Sequence, residues 1–279
     1  MKALGYYNGR IGELDEMMIP MADRVCWFGD GVYEAHLCRN YHIFTLDEHV
    51  DRLFSSASLL EIEVPVSKQE LKDLLNELVK KMDTGDLVVY YQVTRGSGKR
   101  NHAFPEGKAN LWVTLTPKTF VPSRDPVSLI TDEDIRFLHC NIKTLNLIPA
   151  VMANEKAKRA GAYECVLYRP GNRVTECSHS NVHIIKNGVF YTAPTDNLIL
   201  PGIARAHLIR ACEKLSIPVS ETPFTVDDLK QADEIITSSS TNPCVRACKV
   251  DGRAAGMQRQ DLFDALYQFI MDEYFEATK

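Results

Sequence analysis

Two ionisable residues in the stretch 137–184 have the types and the setting to do chemistry. Lys143 stands between Asn141 and Thr144, just before an apolar run. A lysine in a dry pocket loses proton affinity and can form a Schiff base with a carbonyl group. Glu176 follows in the run Val174-Thr175-Glu176-Cys177-Ser178, at the edge of an expected hairpin. A carbonyl cofactor with a ring nitrogen, of which pyridoxal phosphate is the commonest, needs an acidic partner to keep that nitrogen protonated as an electron sink. Glu176 is a candidate for that partner. Sequence separation alone does not join the two residues, and taken singly each reads first as an ordinary surface charge.

Further candidates are anion binders and cations. Pro201-Gly202-Ile203-Ala204 opens a helix, where free amide groups and the helix dipole suit a dianion. Ser239, Ser240 and Thr241 offer hydroxyls and loop amides at a strand end. Plain capping explains both stretches equally well on local grounds. Arg52 lies in mid-helix, where a lone arginine is usually a solvated charge; a guanidinium fork also fits a phosphate. Arg100 and His102 are two apart, so an extended segment would turn both to one side; a basic loop is the plain alternative. Two nucleotide motifs are excluded. Gly96-Ser97-Gly98-Lys99 ends like a P-loop, but Val93 stands where the first glycine is needed. Gly29-Asp30-Gly31 begins a dinucleotide fingerprint, but Glu34 replaces its third glycine.

The elements that must position these residues are legible from local signals. Tyr6-Tyr7-Asn8-Gly9-Arg10 is a hairpin turn, and residues 1–44 read as short strands and turns, with an extended piece over Val32 to Arg39. Thr45-Leu46-Asp47-Glu48 and Ser67-Lys68-Gln69-Glu70 both read as capping boxes. The first opens a helix to about Leu60. The second opens one with Leu71, Leu74, Leu75, Leu78 and Val79 along one stripe. Strands are predicted over Leu87 to Arg95, Ala109 to Thr116 and Val127 to Thr131. A helix opens at Pro149 and stops near Gly161, with proline at the start and glycine past the end. Tyr163 to Tyr168 and Asn181 to Ile185 read as strands. The turn at Lys186-Asn187-Gly188 leads to another over Val189 to Thr192. Ile203 to Leu215 and Asp227 to Gln231 read as helices, Glu234 to Ser238 as a strand, and Arg259 to Phe275 as the last helix.

Composition bounds the class. With 279 residues the chain can bury a large core, and two domains are expected. Three prolines in residues 117–126 mark a linker at 118–126, between a domain over 1–117 and one over 127–279. Hydrophobic content of 45% and charged content of 25% are those of a soluble globular protein. The net charge of −5 argues against a nucleic-acid partner. Apolar runs fall short of the roughly 20 residues that span a bilayer, and the first residues lack a signal-peptide core; a cytoplasmic protein is expected. The eight cysteines are scattered without CxxC spacing, so neither zinc nor a disulfide framework is expected.

The runs FGDGVYE (28–34), DEHVDRL (47–53), QVTRGSGKRNHAFP (92–105), Lys143, VTECSHSNV (174–182) and LILPGIAR (198–205) resemble, in order and over nearly the whole chain, the fold-type IV pyridoxal phosphate enzymes. Among these the chain is most similar to the D-amino acid transaminases. The resemblance implies an α+β fold of a small α/β domain and a larger pseudo-barrel domain, with pyridoxal 5'-phosphate between them. It implies a ping-pong transfer of an amino group from a D-amino acid to a 2-oxo acid. It gives Lys143 the Schiff base and Glu176 the ring nitrogen. The phosphate falls to Arg52, the amides of Ile203 and Ala204, and the Ser240 hydroxyl, with His179, Ser180, Leu200 and Ser239 also at the cofactor. Relatives often carry threonine at the positions of Ala204 and Ser240, so one hydroxyl contact is missing at Ala204. The substrate carboxylate falls to Tyr33, Arg100 and His102, the Arg-x-His loop coming from the neighbouring subunit of a homodimer. An aminodeoxychorismate lyase and a branched-chain or R-amine transaminase are the alternatives on the same scaffold.

Overall fold

The computed structural model describes residues 2–279. The chain divides into two units. The first holds Met1–Val121, Ile142–Asn146 and Tyr274–Lys279; the second holds Pro122–Asn141 and Leu147–Glu273. A single cut at 118–126 would therefore leave two short pieces of the first unit on the other side.

In the first unit β1 (Leu4–Tyr7) and β2 (Arg10–Glu13) form the expected hairpin. Asn8 and Gly9 both take positive φ, 45° and 95°, as a tight two-residue turn requires. The stretch read as turns before Gly31 contains a helical turn, α1 (Val25–Phe28). It is followed by β3 (Gly31–Arg39), β4 (His42–Ile43), α2 (Leu46–Leu59), α3 (Lys68–Val79), β5 (Leu87–Thr94) and β6 (Asn110–Pro117). The strands form one antiparallel sheet in the order β2-β1-β6-β5-β3-β4. The two helices bury Val50, Leu53, Leu71, Leu75 and Leu78 with Val89, Tyr91 and Val113 of the sheet.

The two expected capping boxes have different fates. Ser67 accepts from the Glu70 amide, and the Glu70 carboxylate accepts from the Ser67 amide. Thr45 stands at the N-cap of α2 but is left-handed, with φ 55°, and its hydroxyl donates to Phe44 O instead. The expected box is absent there, because that backbone swings the side chain away from the first-turn amides.

The second unit contains β7 (Val127–Glu133), α4 (Ile148–Arg159), β8 (Glu164–Arg169), β9 (Arg173–Cys177), β10 (Asn181–Lys186), β11 (Val189–Thr192), α5 (Ile203–Lys214), β12 (Val219–Ser220), α6 (Val226–Lys230), β13 (Glu234–Ser238), β14 (Val245–Val250), β15 (Arg253–Ala254) and α7 (Gln260–Ala277), whose last turn belongs to the first unit. The strands form one mixed sheet in the order β12-β11-β10-β13-β14-β7-β8-β9, with β15 on β14. Pairing is parallel between β14 and β7, between β7 and β8, and between β11 and β12. Strands β8, β9, β10 and β13 are buried along most of their length, as expected of a sheet covered on both faces. Pro149 and Gly161 bracket α4 as expected, Gly161 with φ 67°.

Candidate active site

In the first unit β3 sends alternate residues to opposite faces. Glu34 and His36 turn towards α2, where His49 and Arg52, three apart, share one helix face. Arg52 grips Glu34 with two nitrogens, Nε to Oε1 at 2.7 Å and Nη2 to Oε2 at 2.8 Å. His49 Nδ1 meets Glu34 Oε2 at 2.6 Å, and the His36 ring packs 4.2 Å from that of His49. Glu34, His36 and His49 are buried, and the Arg52 side chain is 9% exposed. Burial alone would raise the Glu34 carboxyl, but Arg52 and His49 hold it well below the usual carboxylate range. Burial keeps His36 and His49 low and neutral. Neither Glu34 nor His49 is expected from the sequence as a partner of Arg52: a carboxylate and a guanidinium 18 residues apart carry no local pattern.

Tyr33 faces the other way, stacked on Tyr90 at 5.5 Å between ring centroids. Lys143 lies with Nζ 4.4 Å from the centre of the Tyr33 ring. A short strap fixes it there. Tyr33 N donates to Lys143 O at 3.0 Å, Lys143 N to Ser56 Oγ at 3.2 Å, Leu145 N to Gly31 O at 3.0 Å, and Thr144 bridges Val32. A Cβ on Gly31 would stand 2.8 Å from the Leu145 side chain and 2.6 Å from Val93 O, so β3 opens on a glycine for want of space.

Arg100 and His102 are exposed on the loop after β5 and meet on the Phe28 ring, at 5.5 Å and 5.4 Å from its centre. The loop is anchored by Arg24, a buried residue not foreseen, which donates to the carbonyls of Asn101 and Ala103 and to Asp30. Among the described residues no hydrogen bond or ring contact joins Arg100 or His102 to Tyr33.

In the second unit Glu176 sits on β9, 6% exposed. Its Oε2 accepts from Asn181 Nδ2 at 3.1 Å and from Leu200 N at 3.0 Å, and its Oε1 accepts from Arg136 Nη1. Burial raises the Glu176 carboxyl; the Arg136 guanidinium and the Leu200 amide pull the other way. Arg136, also unforeseen, is clamped by Asp134. The turn 178–180 closes around a further unforeseen carboxylate, Glu164, which accepts from Ser178 Oγ, His179 N and Ser180 Oγ. The Ser180 hydroxyl thus serves Glu164, and the half-exposed His179 ring lies 3.4 Å from it.

Helix α5 starts at Ile203 and Ala204 behind Gly202, an N-cap without a side chain. A Cβ at Gly202 would collide with Asn181 Oδ1. The Leu200 carbonyl takes a second bond from Asn181 Nδ2, so the β9–β10 turn and the start of α5 share one amide group. Ser239 and Ser240 follow β13, with Ser239 N bonded to Asn242 O and Ser239 Oγ accepting from Asn242 N.

Residues 31–250 match the amino-transferase class IV family. The D-alanine aminotransferase of Listeria monocytogenes serotype 4b is 40% identical over 277 residues, 97% of this chain and 96% of that one. Among solved structures, the branched-chain aminotransferase of Thermoproteus uzoniensis with norvaline superposes with a TM-score of 0.90 at 21% identity, covering 100% of this chain and 95% of that one. A second branched-chain amino acid aminotransferase, complexed with N-(5'-phosphopyridoxyl)-L-glutamate, gives a TM-score of 0.88 at 24% identity, covering 100% and 95%. The chain belongs to the class IV aminotransferases. Its fold is the two-domain α+β fold type IV.

Proposed function

We propose that this chain transfers the amino group of a D-amino acid such as D-alanine to a 2-oxo acid such as 2-oxoglutarate or pyruvate, with pyridoxal 5'-phosphate as cofactor and in a ping-pong cycle. The observation that carries this reading is the 40% identity to a D-alanine aminotransferase along 97% of the chain. The donor set fits the cofactor. Lys143 offers a primary amine, and Glu176 a buried carboxylate that still has an acceptor position to give. At α5 a helix start carries free amides and no side chain at its N-cap.

In this reading Lys143 holds the cofactor and Glu176 takes its ring N–H. Arg52, the amides of Ile203 and Ala204, and the Ser240 hydroxyl hold the phosphate, with His179, Ser180, Leu200 and Ser239 elsewhere at the cofactor. When bound, pyridoxal phosphate supplies an electron sink for the pair left when the substrate Cα loses its proton. Lys143, its amine freed when the substrate amine takes its place, would accept that proton, so the enantiomer that turns its Cα–H towards Lys143 would react. Arg100, His102 and Tyr33 fix the substrate carboxylate and thereby choose the enantiomer; an arginine–carboxylate pair both anchors and orients. Among the described residues no hydrogen bond or ring contact joins Arg100 or His102 to Tyr33, which favours their serving the site of a second copy in a homodimer; the compartment proposed is the cytoplasm.

The test is a panel of D- and L-amino acids with 2-oxoglutarate and pyruvate. kcat/KM for D-alanine is expected to exceed that for L-alanine by orders of magnitude, and Arg100→Ala to raise KM and erode the preference. A preference for L-valine, or elimination of pyruvate in place of amino exchange, overturns the reading.

A further inference from the structure

Glu176 and Asp134 are the two buried carboxylates of one cluster, and they are not equally occupied. A carboxylate offers about four acceptor positions. Asp134 has filled its set. Oδ1 accepts from Arg136 N at 3.1 Å and Arg136 Nε at 2.9 Å, and Oδ2 from Arg136 Nη2 at 2.8 Å and Thr175 Oγ1 at 2.9 Å. Glu176 has filled Oε2 twice, through Asn181 and Leu200, and Oε1 once, through Arg136. One position, on Oε1, is left among the described residues.

We infer that Arg136, clamped by Asp134, is a positioning residue for the reaction: it fixes the Glu176 carboxylate so that Oε1 presents the one remaining acceptor position to the cofactor's ring nitrogen. The inference rests on the assignment of Glu176 to that nitrogen. The guanidinium is held on several sides. Beside Asp134, its Nη2 reaches Leu198 O at 3.3 Å and Thr175 Oγ1 at 3.5 Å, so the arginine cannot swing off Glu176 without breaking the Asp134 pair. The loop that brings Arg136 in is tied in turn by Arg169, which donates to Arg136 O at 2.9 Å and lies 3.3 Å from Asp134 Oδ2.

The arrangement has an electrostatic consequence. The charged or titratable groups facing Glu176 are Arg136, Asp134, Cys140 and Cys177, with Arg169 behind Asp134. Burial favours the protonated carboxyl, Asp134 adds to that, and Arg136 opposes both. Arg136 donates directly to Glu176 Oε1, so it favours the state in which Glu176 is an anion able to hold the proton on the ring. Removing Arg136 takes away the cation that opposes burial and Asp134 at Glu176, which favours the protonated carboxyl and weakens its hold on the ring proton.

The test is nitrogen NMR of the holoenzyme reconstituted with pyridoxal phosphate labelled with 15N in the ring, together with half-reaction kinetics on D-alanine. The wild type is expected at the protonated-ring value. Arg136→Gln is expected to move to the unprotonated value, and Arg136→Lys, which keeps a cation but not the fork, to fall between them. The half-reaction rate is expected to drop about 10–100-fold, the range seen when a group supporting a ligating residue is lost, with KM for D-alanine little changed. Glu176→Gln separates the two layers of the argument. A shift in Glu176→Gln without one in Arg136→Gln overturns the role of Arg136 and leaves Glu176 at the ring. No shift in either removes Glu176 from the ring nitrogen and the inference with it. If Arg136→Gln does not fold, Arg136→Lys decides: a wild-type ring signal with a wild-type rate overturns the inference.

Discussion

Gly202→Ala tests the link between the start of α5 and Glu176. Gly202 has φ −68° and ψ 135°, values any residue adopts, so alanine there carries no backbone strain. It would stabilise by about 0.4–1 kcal/mol through the unfolded chain. The added Cβ, however, meets Asn181 Oδ1 at collision range, and overpacking of that kind costs about 1–3 kcal/mol. The expected net loss is about 0–2.6 kcal/mol, about 1.3 at the middle of both ranges, seen as a fall of a few degrees in the Tm of the apoprotein. If Asn181 instead yields, its Nδ2 leaves Glu176 Oε2 and Leu200 O. A hydrogen bond to a charged group is worth about 1.5–3 kcal/mol, or about 10–100-fold in cofactor affinity. Titration of the apoprotein with pyridoxal phosphate reads that loss. Asn181→Ala removes the colliding group, so Gly202→Ala with Asn181→Ala should lose less than the sum of the two single changes. Strict additivity, or a Gly202→Ala protein with wild-type Tm and affinity, refutes the steric account.

Lys143→Ala should be inactive or nearly so, loss of a general base alone costing about 10²–10⁴-fold, and Arg100→Ala should be nearly silent at D-alanine concentrations well below its raised KM. Mixing the two proteins should restore part of the activity, because a hybrid dimer holds one intact set; no recovery after verified subunit exchange would assign the trap to a single chain. Glu34→Gln leaves Arg52 without its buried carboxylate and should cost about 3–5 kcal/mol in denaturant unfolding; a loss within 1 kcal/mol, roughly the median for an exposed pair, would show the pair to be dispensable. Because Arg52 and His49 hold the Glu34 carboxyl below its unfolded value, its contribution is complete above about pH 4.3 and is lost as pH falls from there. Acid titration of stability should therefore be steeper in wild type than in Glu34→Gln, and equal slopes would contradict it. Ser67→Ala should cost about 1 kcal/mol, whereas Thr45→Ala, which removes no cap, should cost clearly less; equal losses would mean the Thr45 hydroxyl does cap α2 in solution.

What could be read from the sequence was what local chemistry decides. The Asn8-Gly9 turn, the Ser67–Glu70 box and the Pro149 and Gly161 bounds of α4 follow from backbone preferences of a few adjacent residues. Thr45 shows the limit of that reading, since its letters match a capping box and its φ of 55° forbids one. Strand β14 escaped because Arg246 breaks its apolar pattern, although that arginine is 4% exposed and paired with Glu234 across β13. The same blindness hid the supports of the candidate site. Lys143 and Glu176 stand in recognisable runs, but Arg136 is 40 residues from Glu176 and Glu34 is 18 from Arg52. Only the folded sheets bring such pairs together, and no periodicity announces them.

The piece Tyr274–Lys279 has a consequence for the order of assembly. Thr278 O accepts hydrogen bonds from Arg39, 239 residues away, and from Asn40. Tyr274, 1% exposed, stands edge-on to the rings of Phe44 and Phe120. Closing so long a loop costs entropy that only late contacts return. A nascent chain grown as far as Val121 has its first sheet and two helices in hand, yet its Phe44 and Phe120 faces are bare and the Lys143 strap is unmade. The unit that begins first is thus completed last, and until then its apolar faces must be shielded from other chains.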